Sequence, residues 1–365
     1  MPTSGRRRTG VLHGRLRLRT GEGGPRRALD EGRGTGTRHR ASVGFAVSER
    51  CVPCFRGSDV GGRSSVGSVR KAGSGELAFC APHPRLAGLV LDYTGQDWTL
   101  TRPLVRQVMA LETVLCVIDF EPHVRRVDTD SRAGRWSSVG SPVTGVRDRP
   151  MAIEQDGRMY GLTVRLTAPG ARALFGLPLS EIANKCVGLG DLLGPGARRW
   201  AERLAEAPDW PARFRMVDSF LSARICAGPE LPPPVRRAWQ RLTDRSGDVR
   251  IGALADEVGW SRQHLNTRFR SEVGLSPKTV ARIARLQRAM FLMRDTASSS
   301  WADAAAASGY TDQPHFNRDF RLLTGCTPTT FRALTSEWTD PWETDRPRTS
   351  VHPGQLIGAP WWSWQ

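Results

Sequence analysis

Lysine is almost missing from this sequence: of 53 basic residues, only Lys71, Lys185 and Lys278 are not arginine. Such a bias points to a GC-rich coding sequence rather than to a choice made for function. Long apolar runs are missing too. None approaches the roughly 18 residues that a membrane-spanning helix requires, and the arginines near the N-terminus are not followed by the continuous apolar segment of a secretory signal. A soluble intracellular protein is therefore expected. Cysteine is scattered over positions 51, 54, 80, 116, 186, 226 and 326; an odd count without dense spacing excludes a disulfide framework and predicts reduced thiols. Residues 77–227 hold no Gly-rich phosphate loop on a strand–helix turn, no nucleophile elbow and no histidine–carboxylate pairing at metal spacing. No catalytic residue, cofactor or metal is expected.

The 365 residues suffice for two domains with tails, and charge divides unevenly among them. Residues 1–75 hold 16 basic and 5 acidic side chains, residues 76–234 hold 19 and 18, and residues 235–335 hold 16 and 9. The excess in 235–335 is what phosphate binding requires. Residues 1–75 contain only 4 Leu, no Ile, 7 Val and 2 Phe, too little apolar surface to offset ordering entropy, so residues 1–76 are expected to be a disordered basic arm. Such an arm would add non-specific DNA affinity. The plainer reading, preferred here, is that the true start lies downstream of Met1 and the folded chain begins near Ala81. Cys51-x-x-Cys54 and Cys80-x-x-His83 offer the four ligands of a tetrahedral zinc site. The patternless residues between them favour unlinked cysteines instead. Residues 336–365, ending GAPWWSWQ, are expected to be a disordered tail, the alternative being a docking peptide anchored by its tryptophans.

Residues 77–227 read as a β-rich domain that closes on helices. LAGLVLDYTG suits a strand or a short helix, and LETVLCVIDF (111–120) is a β-branched apolar run predicted to be a buried strand. Residues 125–150 read as loop or hairpin with a strand near 138–145. Tyr160, Leu162, Val164 and Leu166 alternate onto one strand face, before Pro169-Gly170 leads into a short helix. LSEIANKCVGLGDLLG is predicted helical, as is Trp200–Cys226 with apolar spacing at Phe214, Val217, Phe220, Leu221 and Ile225. His123 reads as a surface or structural residue, and Cys116 and Cys186 as core. Trp98, Tyr160 and Phe175 are core by default, a ligand pocket being the other reading. GPELPPPV then forms a Pro-rich linker over 228–234, expected to be an extended spacer that sets the domains apart.

The most informative stretch is 249–332. IGALADEVGWSRQHLNTRFRSEVG (251–274) and WADAAAASGYTDQPHFNRDFRLLTG (301–325) follow one plan. A short Ala-rich helix ends at Gly259 or Gly309, followed by Trp260 or Tyr310. An N-cap residue, Ser261 or Asp312, then opens a polar, Arg-containing helix that stops at Gly274 or Gly325. Helix pairs with a polar second helix fit a major groove. A helix over about 277–296 joins the units, and another over 235–245 precedes them. Leu265, Phe269 and Val273, and then Phe316, Phe320 and Leu323, must face the core. That leaves Arg262, Gln263, Asn266, Thr267 and Arg270 outward on the first polar helix. Gln313, Pro314, His315, Asn317, Arg318 and Arg321 are outward on the second.

On these residues the chain resembles the AraC/XylS-type bacterial transcription regulators, most specifically at SGYTDQPHFNRDFRLLTGCTPTTFR (308–332). The resemblance implies an α+β chain: a β-rich sensory or dimerisation domain with terminal helices, then an all-α domain of two helix-turn-helix units and a linker helix. It implies sequence-specific binding of double-stranded DNA through Ser261 and the outward residues just named. Gln263, Thr267, Pro314 and Arg318 fall at base-facing positions, although Thr267 departs from the Arg often found there. Gln and Asn can pair with adenine, and Arg with guanine or phosphate. His315 is read either as a phosphate donor or as packing beside Tyr310, and Arg282, Arg285 and Arg288 as candidate phosphate contacts. A small-molecule effector, a homodimer partner and RNA polymerase are further implied partners, with no membrane contact and a cytoplasmic, nucleoid-associated location. Two other classes remain open: a DNA-repair alkyl-transfer enzyme carrying a regulator domain, and a module that binds protein partners only.

Overall fold

The computed structural model describes residues 66–72, 75–100, 102–123, 125–129, 136–295, 300–336 and 361–363. Strands dominate the first half: β1 (Val66–Ala72), β2 (Gly75–Cys80), β3 (Val90–Thr99), β4 (Leu104–Val108), β5 (Val114–Asp119), β6 (Arg125–Asp128), β7 (Ser137–Val139), β8 (Pro142–Thr144), β9 (Met151–Gln155) and β10 (Arg158–Leu166). Helix α1 (Ala168–Phe175), strand β11 (Cys186–Gly188) and helices α2 (Leu189–Leu193), α3 (Gly196–Ala205) and α4 (Trp210–Cys226) complete this body. The helical part comprises α5 (Pro233–Asp244), α6 (Ile251–Glu257), α7 (Arg262–Val273), α8 (Pro277–Asp295), α9 (Trp301–Ala307), α10 (Gln313–Thr324) and α11 (Pro328–Ser336). A last strand, β12 (Trp361–Ser363), pairs with β4. The chain is thus β-rich and then all-α.

The strands form two antiparallel sheets, in the orders β1-β2-β3-β10-β5-β8-β11 and β12-β4-β9-β6-β7. β5, paired on both sides, is buried at every residue, as its unbroken apolar run predicts. β9 alternates buried and half-buried positions, the pattern of a strand with one face on the core. Val108, Val127, Met151 and Ile153 of one sheet and Val114, Ile118, Leu162 and Val164 of the other share one core. α4 covers it, stacking Phe214 on Tyr93 at 6.0 Å. The three candidate pocket aromatics do not converge. Trp98 lies with Leu77 and Met159 in a separate cluster. Tyr160 stands edge-on to Phe120 at 5.0 Å, and Phe175 is buried in the main core.

Several expectations need correction. The arm expected over 1–76 lies outside the described residues as far as 65, but Val66–Ala72 is strand, paired with Gly75–Cys80 across the dipeptide Gly73-Ser74. β2 in turn continues the sheet through β3. The expected tail likewise falls outside the described residues, except for the end of α11 and for β12. The segment 179–194 is not one helix: a 3-10 turn at Leu179–Glu181 passes into β11 and then α2. Val187 sits opposite Val143 of β8, and this pairing replaces the helix. Trp200–Cys226 is two helices, because Asp209 caps a new one by accepting from the Ala212 amide at 2.7 Å, with Pro211 in its first turn.

The Pro-rich stretch is not an extended spacer. Residues 228–232 are outside any helix, with Pro232 extended (φ −50°, ψ 136°), while Pro233 and Pro234 open α5, where a missing N–H costs nothing. Leu231 is 2% exposed in the common core, and a Cβ on Gly228 would overlap the Ala173 carbonyl. The β-rich body consequently lies against the helices. Ala110 N–H donates to the Leu323 carbonyl at 2.7 Å. Arg172 of α1 pairs with Glu272 of α7 at 3.2 Å, and Gln287 Nε2 of α8 donates to Glu112 at 2.7 Å.

Burial raises the Glu112 carboxyl above its ordinary range, against the opposing pull of Gln287 and of Arg165. A folded-state pKa above the unfolded one contributes stability that is complete below the unfolded value near 4.5 and is lost as pH rises. Glu112→Gln retains an acceptor for Gln287 and removes the buried charge. It should therefore raise Tm at pH 8 with no gain at about pH 3.5, below the unfolded value, as followed by circular dichroism; a pH-independent difference would refute this account.

Candidate nucleic-acid interface

Each polar helix is placed by its caps. The Ser261 hydroxyl accepts from the His264 amide at 3.2 Å, and Asp312 accepts from the His315 amide at 2.7 Å. α7 ends at Gly274 (φ 88°) and α10 at Gly325 (φ 87°), left-handed positions that turn the chain away. The preceding turns use Gly259 and Gly309, at φ 73° and 78°. Leu265, Phe269 and Val273 anchor one helix, and Phe316, Phe320 and Leu323 the other, all fully buried. Trp301 packs against Phe316, Phe320 and Phe331, giving the second unit an aromatic core.

With those residues inward, Ser261, Arg262, Gln263, Asn266, Thr267 and Arg270 are exposed on the first unit, and Gln313, Pro314, Asn317, Arg318 and Arg321 on the second. His315 is the exception. It is half-buried, edge-on to Tyr310 at 5.4 Å, with Nε2 3.7 Å from Asp319, an arrangement that favours its packing role. Spacing arguments missed His264 and Arg268, which are also exposed on α7. The four-residue recurrence of buried positions frees both, so the signal was available. His264 rests against the Trp260 ring at 4.6 Å.

The linker helix α8 packs on both units, and its arginines differ from one another. Arg282 is not a free cation for phosphate: it holds both carboxylate oxygens of Asp319, the closest contact at 2.6 Å. Arg285 lies over the Tyr310 ring at 5.4 Å, and Arg288 is half-buried. The acidic residues of α7 and α10 are Glu272 and Asp319, and both are tied into ion pairs. The outward faces of the two helices thus present arginines and amides without a competing carboxylate, the surface that a polyanion needs.

Other candidate chemistry stays apart from this face. Burial, reinforced by Asp218, pushes the Cys80 thiol up to about 12. Burial, helped by Asp119, does the same to Cys116. His83 Nδ1 accepts from the Arg85 amide, while Cys51 and Cys54 lie outside the described residues. Among the described residues, no cluster of three or more His, Cys, Asp or Glu could hold a metal, and no helix is long and apolar enough to cross a membrane.

A paired set of capped helices presenting polar, cationic faces defines a helix-turn-helix domain of the nucleic-acid-binding class, and residues 254–334 match the family model described as a helix-turn-helix domain. Over 220 residues the chain is 27% identical to the probable bifunctional transcriptional activator/DNA repair enzyme AlkA of Mycobacterium tuberculosis, covering 59% of this chain and 36% of that protein. It is 31% identical over 147 residues to the arabinose operon regulatory protein of Escherichia coli, covering 38% of this chain and 47% of that one. It is also similar to the solved structure of ToxT from Vibrio cholerae, at 11% identity and a TM-score of 0.39, over 66% of this chain and 97% of that one. The chain spans between about a third and a half of the length of these curated relatives. Residues 254–334 are thus a helix-turn-helix domain, similar to that of the AraC/XylS-type regulators.

Two substitutions separate the contributions to this domain. Asp312→Ala removes one cap and should cost about 1 kcal/mol. Asp319→Ala strands Arg282 and should cost about 2–4 kcal/mol, below the full value for a buried pair because the Arg282 side chain keeps 25% of its surface exposed. Urea unfolding measures both, and an Asp319→Ala cost well below about 1 kcal/mol would mean that the ion pair adds little.

Proposed function

We propose that the chain is a sequence-specific DNA-binding transcription regulator that inserts α7 and α10 into two successive major-groove segments of one duplex. The observation that carries this reading is the pair of outward, cationic helix faces, the one acidic residue of each helix lying off that face in an ion pair. Successive turns of the groove lie about 34 Å apart on one side of the duplex, and α8 holds the two units at a set separation. Gln263 and Arg318 read base edges, with Asn266, Thr267, Asn317 and Arg321 beside them. The β-rich body modulates binding through a small molecule or a partner, and RNA polymerase and a second copy of the chain are further partners. Contact with the chromosome places the protein in the cytoplasm.

Selection from a random duplex library tests this reading. A motif of two elements about one helical turn, or roughly 10 bp, apart is the expected result. Gln263→Ala and Arg318→Ala should each weaken binding to it about 5- to 150-fold and relax one element apiece, as loss of a bidentate base contact does. Unchanged affinity in both variants at physiological salt would remove Gln263 and Arg318 from the contact, and selection of no motif at all would favour a module that binds protein partners only.

One relative's title supports a second reading, DNA repair, because it names a bifunctional activator and repair enzyme. Alkyl transfer to a cysteine needs a reactive thiolate. Cys80 and Cys116 are held as neutral thiols up to about pH 12, whereas Cys226 is exposed. Iodoacetamide at pH 8 should therefore label Cys226 well before Cys80 and Cys116, as read by peptide mass. Rapid labelling of Cys80 would turn the balance toward repair.

A further inference from the structure

A cleft of about 480 Å³ opens between the two helix-turn-helix units, and its lining is unusually rich in cations. α8 contributes Lys278, Arg282 and Arg285 from successive turns of one face, and α10 contributes His315, Arg318 and Asp319. On the side of the first unit the cleft is bounded by Val249 and Ile251, at the start of α6. Asp319, the single carboxylate in the lining, is consumed by Arg282. That pair forms the floor and fixes α8 against α10. Lys278, Arg285 and Arg318 then remain in the lining with no carboxylate in ion-pair reach among the described residues. Arg285 is steadied by the Tyr310 ring, and Lys278 and Arg318 are exposed.

Three like charges around one concavity repel each other unless an anion joins them. Arg318 belongs both to this cleft and to the outward face of α10, so the cleft borders the surface proposed to meet DNA. A duplex engaged by α7 and α10 at once must carry its backbone across the space between them, where the minor groove and its phosphates separate the two major-groove segments. We propose that this cleft is a phosphodiester site, in which Lys278 and Arg285, beside the base-reading Arg318, hold the backbone between the two segments read by the recognition helices. The proposal rests on the reading of the chain as a duplex-binding regulator and adds to it a contact that sets register rather than sequence. Lys278, one of three lysines in the chain, supplies a compact charge on a long stem where arginine is otherwise the rule.

The experiment uses the full chain and its selected duplex. Lys278→Gln changes an exposed residue and should leave Tm unchanged. It should weaken binding to selected and scrambled duplexes alike, roughly threefold to tenfold, and flatten the slope of log K against log salt by about 0.9, the increment for one phosphate of B-DNA. Arg285→Gln should act in the same direction. A series of single neutral methylphosphonates placed between the two motif elements should contain one position that weakens the wild-type chain by a similar factor and Lys278→Gln hardly at all. Specific wild-type binding with an unaltered salt slope in both variants, or additive losses at every methylphosphonate position, overturns the phosphodiester site while leaving the regulator reading intact. Lys278-dependent binding of inorganic phosphate by the free chain, without methylphosphonate coupling, overturns it in favour of a small anionic ligand. A wild-type chain that selects no motif overturns both readings together.

Discussion

The ion pair between Arg282 and Asp319 is the constraint on which the DNA-binding half depends. Asp319 sits on the buried side of the second recognition helix, 3% exposed, where an unpaired carboxylate would be costly. Its partner comes from the linker helix, so the pair does more than neutralise a charge: it sets how α10 lies on α8. Burial of Phe316 and Phe320 drives the helices together without choosing their rotation, because apolar contact is non-directional. Two hydrogen bonds from a planar guanidinium to a carboxylate are directional. The same pair also strips the cleft of its negative charge, so one contact determines both the geometry and the sign of the field in front of the second unit.

Helix ends and buried faces in the DNA-binding half were legible in the sequence because their causes are local. A serine or aspartate cap, a glycine at positive φ and apolar residues three or four apart each act within a dozen residues, and every one of these features at Ser261, Gly274, Asp312 and Gly325 appears as expected. The exposed positions followed by subtraction, and only His315 and the arginines of α8 are more engaged than the pattern suggested. Their partners are ring and carboxylate groups that lie close only after folding; Arg282 and Asp319 are 37 residues apart in the chain.

The β-rich body was less legible for the same reason. Strand β1 sits in an Arg- and Gly-rich stretch whose composition argues against order, and it exists as the neighbour of β2. The segment after Leu179 has helical spacing, yet pairing with β8 decides its middle. The Pro-rich junction illustrates a different failure. Consecutive prolines suit both an extended segment and a helix start, and this stretch is both in turn; burial of Leu231 is what keeps it from being a spacer.

The C-terminal ends of the two recognition helices are both attached to the same β-rich body: Glu272 of α7 through Arg172, and Leu323 of α10 through the backbone of Ala110. The two outward-facing helices are therefore mounted on a common frame rather than joined through α8 alone. A frame of that kind measures distance as well as sequence. Adding one base pair between the two elements rotates the second by about 34–36° around the duplex axis, and a rigid frame cannot swivel to follow it. If the chain reads two elements of one duplex as proposed, it works as a ruler with fixed graduations, and spacer length counts in recognition alongside the bases.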